Sequence, residues 1–338
     1  MFKSSRWTSE ARSRKRDSLI HSTYAPPSWL PGGNLQTIYA RRLARRYPVQ
    51  YRRERWAAPD GDFIDLDWTR AVATDSKVLV LFHGLEGCSR SHYAMSFMTM
   101  AQQRGWRGVV PHFRGCGGES NKLPRAYHSG DAAEIDWILR RLKRENPECE
   151  IYVVGVSLGG NMLLKWLGEQ ANRAPAIVKG AVAVSAPVDL HAAAALLDSG
   201  YRRAIYTRRF LRSLKGKVLA KIAQHGLDID PAAMHACSTF RQFDDIYTAP
   251  MHGFKDADDY WTRASSKPWL KNICVRTLMI NAQNDPFLPA SALPCDDEVS
   301  GSVTLDFPNF GGHVGFVSGS FPGSLDWLSR RIFQFFTA

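Results

Sequence analysis

The sequence has no apolar run near the roughly 18 to 20 residues that a membrane-spanning helix needs. Its best stretches, Val78 to Phe82 and Ile177 to Val184, are far shorter. Behind the basic start MFKSSRWTSEARSRKR there is no apolar core of about 7 to 15 residues, so a cleaved secretory signal is not expected and a cytoplasmic protein is. Cysteines are few. Cys88, Cys116, Cys149, Cys237, Cys274 and Cys295 are scattered without a Cys-x-x-Cys pair, which excludes a dense disulfide framework and points to free thiols. A metal site could be drawn from His92, His112, His128 and Asp131, but these lack a short ligand spacing such as His-x-x-x-His, so no metal or other cofactor is expected. No internal repeat is evident.

What is present is a chain of 338 residues, 44% hydrophobic and 22% charged, which can bury a sizeable core. Its net charge of +12 is local: residues 1 to 55 hold thirteen basic and three acidic side chains, and Arg202 to Lys221 holds eight basic residues and no acid. Arg41-Arg42 with Arg45-Arg46, and Arg202-Arg203 with Arg208-Arg209, could meet anionic lipid headgroups or simply form a solvated surface. No helix-turn-helix or zinc finger accompanies the charge, so nucleic acid is not an expected partner. Nor does any feature imply an obligate protein partner.

Residues 1 to 23, polar and basic, read as an N-terminal arm, and the remainder, 24 to 338, as one domain. Pro and Gly punctuate residues 26 to 33, which predicts irregular structure packed across a surface, followed by a helix over 35 to 47. Runs at 49 to 56 and 63 to 69, separated by Pro59-Asp60-Gly61-Asp62, predict an antiparallel hairpin. From residue 78 onward the rhythm changes. Short apolar runs at 78 to 82, 107 to 113, 151 to 156, 177 to 186 and 274 to 282 alternate with helical patterns at 93 to 104, 130 to 145 and 158 to 171. That spacing predicts βαβ crossovers, hence an α/β fold with a mostly parallel, twisted sheet and helices on both faces. A largely helical interruption at about 187 to 270 reads as an inserted cap. A strand at 302 to 307 and an amphipathic helix at 324 to 336 close the chain.

At the end of the IYVVGV strand stands Gly155-Val156-Ser157-Leu158-Gly159-Gly160, with a helical pattern behind it. Gly-x-Ser-x-Gly between strand and helix is the nucleophile-elbow pattern, in which the glycines remove Cβ atoms that would clash and the serine hydroxyl is pushed above the sheet. A serine hydroxyl needs a base, which in this arrangement comes late in the chain after an acid. His313, in the glycine-rich loop Asn309 to Gly315, is the only histidine after His252. For the acid, Asp285 follows the strand ending LMINA; Asp189, after the VAVSAPV run, competes, and Asp306 within a strand reads as structural. Two backbone N–H groups should hold the oxyanion: Leu158, after the nucleophile, and Leu85, in the loop His83-Gly84-Leu85-Glu86-Gly87, where Gly84 and Gly87 would let the backbone turn inward. His83, His92, Arg114, Glu119, His128 and Asp131 read as supporting or structural residues near the same sheet edge.

With Ser, Asp and His in that order the chain resembles an α/β-hydrolase. Longer strings narrow the match to the YheT-like family: PPSWLPGGNLQTIYA (26 to 40), HGLEGCSRSHYA (83 to 94), FRGCGGESNKLPRAYHSGD (113 to 131), GVSLGGNMLLKWLGE (155 to 169) and FDDIYTAPMHGFKDADDYW (243 to 261). The resemblance spans nearly the whole chain; Gly117 departs from it, standing where serine is common, and the arm before residue 20 lies outside it. It implies a serine hydrolase of short- to medium-chain carboxylic esters, including acylglycerols, with the triad Ser157, Asp285 and His313 acting through an acyl-enzyme. The alternatives are an acyltransferase using the same triad, or a lipid-surface protein with a vestigial site. The expected partners are a small-molecule or lipid ester and, peripherally, an anionic membrane.

Overall fold

The computed structural model describes residues 23–42, 48–70 and 75–338. The expected basic arm, apart from its last residue, and the last five residues of the helix expected over 35 to 47 therefore lie outside the described residues, Arg45 and Arg46 among them. The part of that helix that is described, α1 (Gly33–Arg42), begins two residues earlier than the pattern suggested.

Eight strands form one sheet: β1 (Tyr51–Ala57), β2 (Phe63–Thr69), β3 (Lys77–Phe82), β4 (Arg107–Pro111), β5 (Glu150–Val156), β6 (Gly180–Val184), β7 (Thr277–Ile280) and β8 (Val303–Asp306). Their order is β1-β2-β4-β3-β5-β6-β7-β8. The hairpin β1–β2 runs antiparallel with Tyr51 opposite Thr69, and β2 also meets β4 antiparallel. All pairings from β4 to β8 are parallel. Every strand from β3 to β7 is buried on both faces apart from its first residue in three cases, which is why these segments read as continuous apolar runs and not as alternating ones.

Helices cover both faces. On one lie α3 (Ala132–Glu145) and α4 (Leu158–Gln170), with Ile135, Ile138, Leu139 and Leu142 of α3 at the spacing of one helical stripe. On the other lie α2 (His92–Gln103), through Phe97, Met98 and Ala101, and the C-terminal helix Asp326–Thr337, through Leu328, Ile332, Phe333 and Phe336. Asp131 caps α3 by accepting the Glu134 N–H. Between β6 and β7 the chain is largely helical, including α5 (Leu190–Leu197) and a long helix over Arg208–His225.

Strand β2 buries more than its alternation suggests: all seven residues are buried, Asp65 and Asp67 included. Arginines from β1 make this possible, Arg53 holding Asp67 at 2.8 and 2.9 Å and Arg55 holding Asp65 at 2.7 and 3.0 Å. A second buried cluster centres on Arg114, whose guanidinium donates to Glu134 at 2.7 Å and to Asp62 at 2.9 Å. Arg114→Met would leave those two buried carboxylates facing each other's surroundings without their cation. Breaking a buried pair this way costs about 3–5 kcal/mol. We therefore expect a lower urea midpoint with an unchanged slope; a midpoint equal to the parent's would show the cluster to be dispensable.

Burial also holds three histidines uncharged. His83, His128 and His252 are each pushed down to about 3, with desolvation the leading cause. An unfolded histidine titrates near 6.5, so between about pH 6.5 and 3 the unfolded chain binds more protons than the folded one. Stability contributed by these groups is complete above pH 6.5 and is lost as pH falls through that window. The rings of His252 and His128 are tilted at 53° with centroids 4.5 Å apart, and His252 Nε2 is buried without a partner among the described residues. His252→Phe should accordingly make Tm fall less steeply between pH 6.5 and 4.5 than in the parent, as read by scanning calorimetry.

Candidate active site

Ser157 sits where β5 turns into α4, with φ 55° and ψ −122°, a conformation that L residues rarely adopt. The strain is imposed by close packing. A Cβ on Gly155 would lie 2.5 Å from the Gly159 carbonyl oxygen, and one on Gly159 would lie 2.5 Å from the Phe82 carbonyl oxygen. The second glycine thus makes room for the end of β3, allowing α4 to start directly above the sheet.

Ser157, His313 and Asp285 come together. His313 Nε2 is 2.9 Å from Ser157 Oγ, and His313 Nδ1 is 2.9 Å and 3.1 Å from the two Asp285 carboxylate oxygens. The Phe287 N–H donates to Asp285 Oδ1 at 2.8 Å, and the Phe287 ring stacks on the imidazole at 4.0 Å and 17°. Asp285 accepts a hydrogen bond from Nδ1–H, so Nε2 is left with its lone pair toward the serine hydroxyl. Asp189 is placed elsewhere, capping α5 through the Ala192 N–H at 3.0 Å, and Asp306 is bound to Arg331 at 2.7 Å.

The histidine loop is tied down by residues that the motif reading passed over. Thr37 Oγ1 accepts the His313 N–H at 2.8 Å and donates to the Gly33 carbonyl at 2.7 Å; Gln36 Oε1 accepts the Gly311 N–H at 2.8 Å. Ser185 Oγ accepts the Val314 N–H, and Asn284 Oδ1 accepts the Gly312 N–H. Gln36 is fully buried. A buried glutamine in a short helix makes no sense within α1 itself; its reason lies about 275 residues away in the chain. The only signal in the sequence was that this stretch belongs to the string 26 to 40.

The loop after β3 is pinned throughout. The Gly84 N–H donates to Tyr93 OH at 2.9 Å, the Glu86 N–H to Tyr127 OH at 2.9 Å, and the Gly87 N–H to the Gly84 carbonyl at 2.9 Å. His83 Nε2 accepts the Phe113 N–H at 3.1 Å, leaving Nδ1 to donate to the Gly84 carbonyl at 2.8 Å. Among the described residues, the N–H groups of Leu85 and Leu158 have no partner within the protein. The expected reason for the glycines needs correction. Neither Gly84 nor Gly87 has a left-handed φ; that conformation falls on Glu86, at 55°. The glycines are needed for space, since a Cβ on Gly84 would lie 3.0 Å from Ser157 Cβ and one on Gly87 would lie 2.7 Å from Tyr93 OH.

Of the other polar residues singled out from sequence, Arg114, Glu119 and His128 line the cavity beyond Leu158 and His92 lines the one that contains Ser157. His112 bonds Asp67 and the Cys116 carbonyl, His92 Nε2 bonds the Val314 carbonyl, Glu119 pairs with Arg55, and Asp131 caps α3.

Two cavities meet at Ser157. One, of about 100 Å³, is walled by Leu190, Ala194, Leu197, Phe240, Trp261 and Leu288. Its one carboxyl, Asp244, is pushed up to about 7 by burial and accepts the Trp261 indole N–H at 2.8 Å. The other, of about 440 Å³, reaches from Ser157 and His313 toward Arg41, Arg42, Arg90 and Arg209. A third, of about 280 Å³, lies beyond Leu85 and Leu158 against Tyr127, Lys217 and Lys221.

Comparison with known proteins agrees with this architecture. Residues 77–320 match the alpha/beta hydrolase fold family. The chain is 41% identical over 303 residues to "Putative esterase YheT" of Escherichia coli (strain K12), covering 88% of each chain. It is 27% identical over 328 residues to Phospholipase ABHD3 of Homo sapiens, covering 95% of this chain and 80% of that one. Among solved structures, the Pyrococcus furiosus esterase Pf2001 superposes with a TM-score of 0.56 at 15% identity, over 86% of this chain and 91% of its own, a likeness of fold alone. Since the family match spans most of the chain and the Escherichia coli relative shares two residues in five along nearly its full length, the protein belongs to the α/β-hydrolase family and, within it, to the YheT-like hydrolases.

Proposed function

We propose that the protein hydrolyses carboxylic esters through a covalent acyl-enzyme formed on Ser157. The observation that carries this reading is the unbroken hydrogen-bonded line from Ser157 Oγ through His313 to Asp285. His313 Nε2 takes the hydroxyl proton as Oγ attacks the ester carbonyl carbon, while Asp285 holds the imidazolium that results. The tetrahedral oxyanion is held by the free Leu85 and Leu158 N–H groups, an arrangement in which losing one donor costs about 2.7–4 kcal/mol of transition-state stabilisation. The C–O bond to the alcohol breaks as His313 returns the proton to the leaving oxygen. Water then repeats the sequence on the acyl-enzyme, releasing the acid and restoring Ser157.

Residues 187 to 270 act as the cap, and the apolar cavity beneath them, with Leu190, Leu197 and Trp261, receives the acyl chain. Its modest volume favours short to medium chains. The names of the relatives, an esterase and a phospholipase, support an ester carbonyl as the point of attack and leave acylglycerols within the substrate class. The test is turnover of p-nitrophenyl esters from acetate to octanoate by the purified chain, with labelling by a fluorophosphonate. Activity peaking at short or medium chains, with one label per chain on Ser157, is the expected result; failure to cleave any of these esters would overturn it.

A further inference from the structure

We infer that the protein recognises a phosphate group on the alcohol portion of its ester substrate, held in the basic cavity beside Ser157; this deepens the hydrolase reading above and rests on it. The two arginine clusters that stand far apart in the sequence meet here. Arg41 and Arg42 end α1, Arg209 lies in the first turn of the helix Arg208–His225, and Arg90 joins them from the loop before α2. All four line the 440 Å³ cavity that contains Ser157 and His313. It adjoins a second hollow of about 830 Å³ that shares Arg41, Arg42 and Arg209 and adds Arg208 and Arg212.

Among the described residues, these walls set few carboxylates against Arg42, Arg90 and Arg209. The outer hollow contains no carboxylate, and the inner one contains only Glu86. Glu86 is already engaged, by Lys217 Nζ at 2.7 Å and Tyr127 OH at 2.9 Å. Arg42, Arg90, Arg209 and Arg212 form no ion pair among the described residues. The N-terminal end of α2, through Ser91, His92 and Tyr93, opens into the same space, and its cap position makes no side-chain bond to the helix, so the positive end of the helix dipole adds to the field.

Self-repulsion among exposed arginines is a cost that a folded protein can avoid by interleaving acids, as this chain does around Arg53, Arg55 and Arg114. Here it does not. Guanidinium groups match phosphate oxygens with paired N–H bonds, and clustered positive charge in a concave site focuses anions toward it. The apolar cavity meets the basic one at Ser157 and His313 and suits the acyl chain, which leaves the basic cavity to the alcohol portion. An ester that spans both cavities places its carbonyl over Ser157 between them.

The test compares kcat/KM for 1-butyrylglycerol and 1-butyrylglycerol 3-phosphate at 50 and 300 mM NaCl. A preference of about tenfold or more for the phosphate compound at low salt, shrinking several-fold at high salt, is expected, because charges in an open site are screened over about 10 Å at 0.1 M. The triple variant Arg42→Gln, Arg90→Gln, Arg209→Gln should reduce that preference at least tenfold, and the corresponding lysine variant should retain part of it. A second arm presents decanoylglycerol and decanoylglycerol 3-phosphate in phosphatidylcholine vesicles; preference in the first arm identifies a soluble phosphate ester, and preference in the second alone identifies a lipid. Equal rates in both arms, or a preference that the triple variant leaves unmoved, would overturn the inference. Calorimetric binding of 1-butyrylglycerol 3-phosphate to the Ser157→Ala chain, with and without the three arginines, tests the cavity independently of turnover. Arginine-dependent binding without hydrolysis would sink the esterase reading and keep the anion site; hydrolysis of p-nitrophenyl butyrate without phosphate preference would do the reverse.

Discussion

Ser157→Ala should reduce kcat for p-nitrophenyl butyrate by on the order of 10⁴- to 10⁶-fold, the loss seen when a serine hydrolase is deprived of its nucleophile. The physical reason is that, among the described residues, the hydrogen-bond partner of His313 Nε2 is Ser157 Oγ, at 2.9 Å. The fold should survive, because alanine retains the Cβ and the position needs only a residue that tolerates φ 55°. An unchanged Tm together with loss of fluorophosphonate labelling would separate lost chemistry from lost structure. Residual activity within tenfold of the parent would mean that hydrolysis takes place elsewhere in the molecule.

Asp285→Asn is expected to lower kcat by about 10⁴-fold with little change in KM, as the equivalent change does where the acid fixes the imidazole tautomer. Asp285 accepts two hydrogen bonds, from His313 Nδ1 and from the Phe287 N–H, using both oxygens. Asparagine offers one oxygen and one NH₂. If its oxygen stays with Phe287, its NH₂ faces Nδ1, the imidazole proton moves to Nε2, and the base can no longer accept from Ser157. Asp189→Asn supplies the control. That carboxylate caps α5, so its replacement should cost at most about 1 kcal/mol of stability and leave kcat near the parent value. A reversed pattern, with Asp189→Asn inactive and Asp285→Asn active, would assign the acid to the earlier strand.

Much of this was legible before any coordinates. Parallel strands buried on both faces announce themselves as short apolar runs, and all five of those runs contain a strand, though 177 to 186 and 274 to 282 contract to Gly180–Val184 and Thr277–Ile280. The trimmed residues include Val275 and Ala282, which are apolar because they pack, not because they pair. Apolarity reports burial, and burial extends beyond the hydrogen-bonded ladder. The elbow was equally plain as a pattern of six consecutive residues, although Gly159 makes room for the end of β3 and only Gly155 answers a purely local demand.

The sequence by itself determined the order of strands and helices, the strained turn at Ser157, and the residue types able to activate it, because each of these depends on neighbours along the chain. Tertiary structure alone decided that Thr37 and Gln36 hold the histidine loop, and that Arg42, Arg90 and Arg209 share one cavity with the nucleophile. Those relations join segments separated by tens to hundreds of residues. Periodicity and spacing carry no information about such meetings; they arise only when crossover connections bring distant loops to the same edge of the sheet.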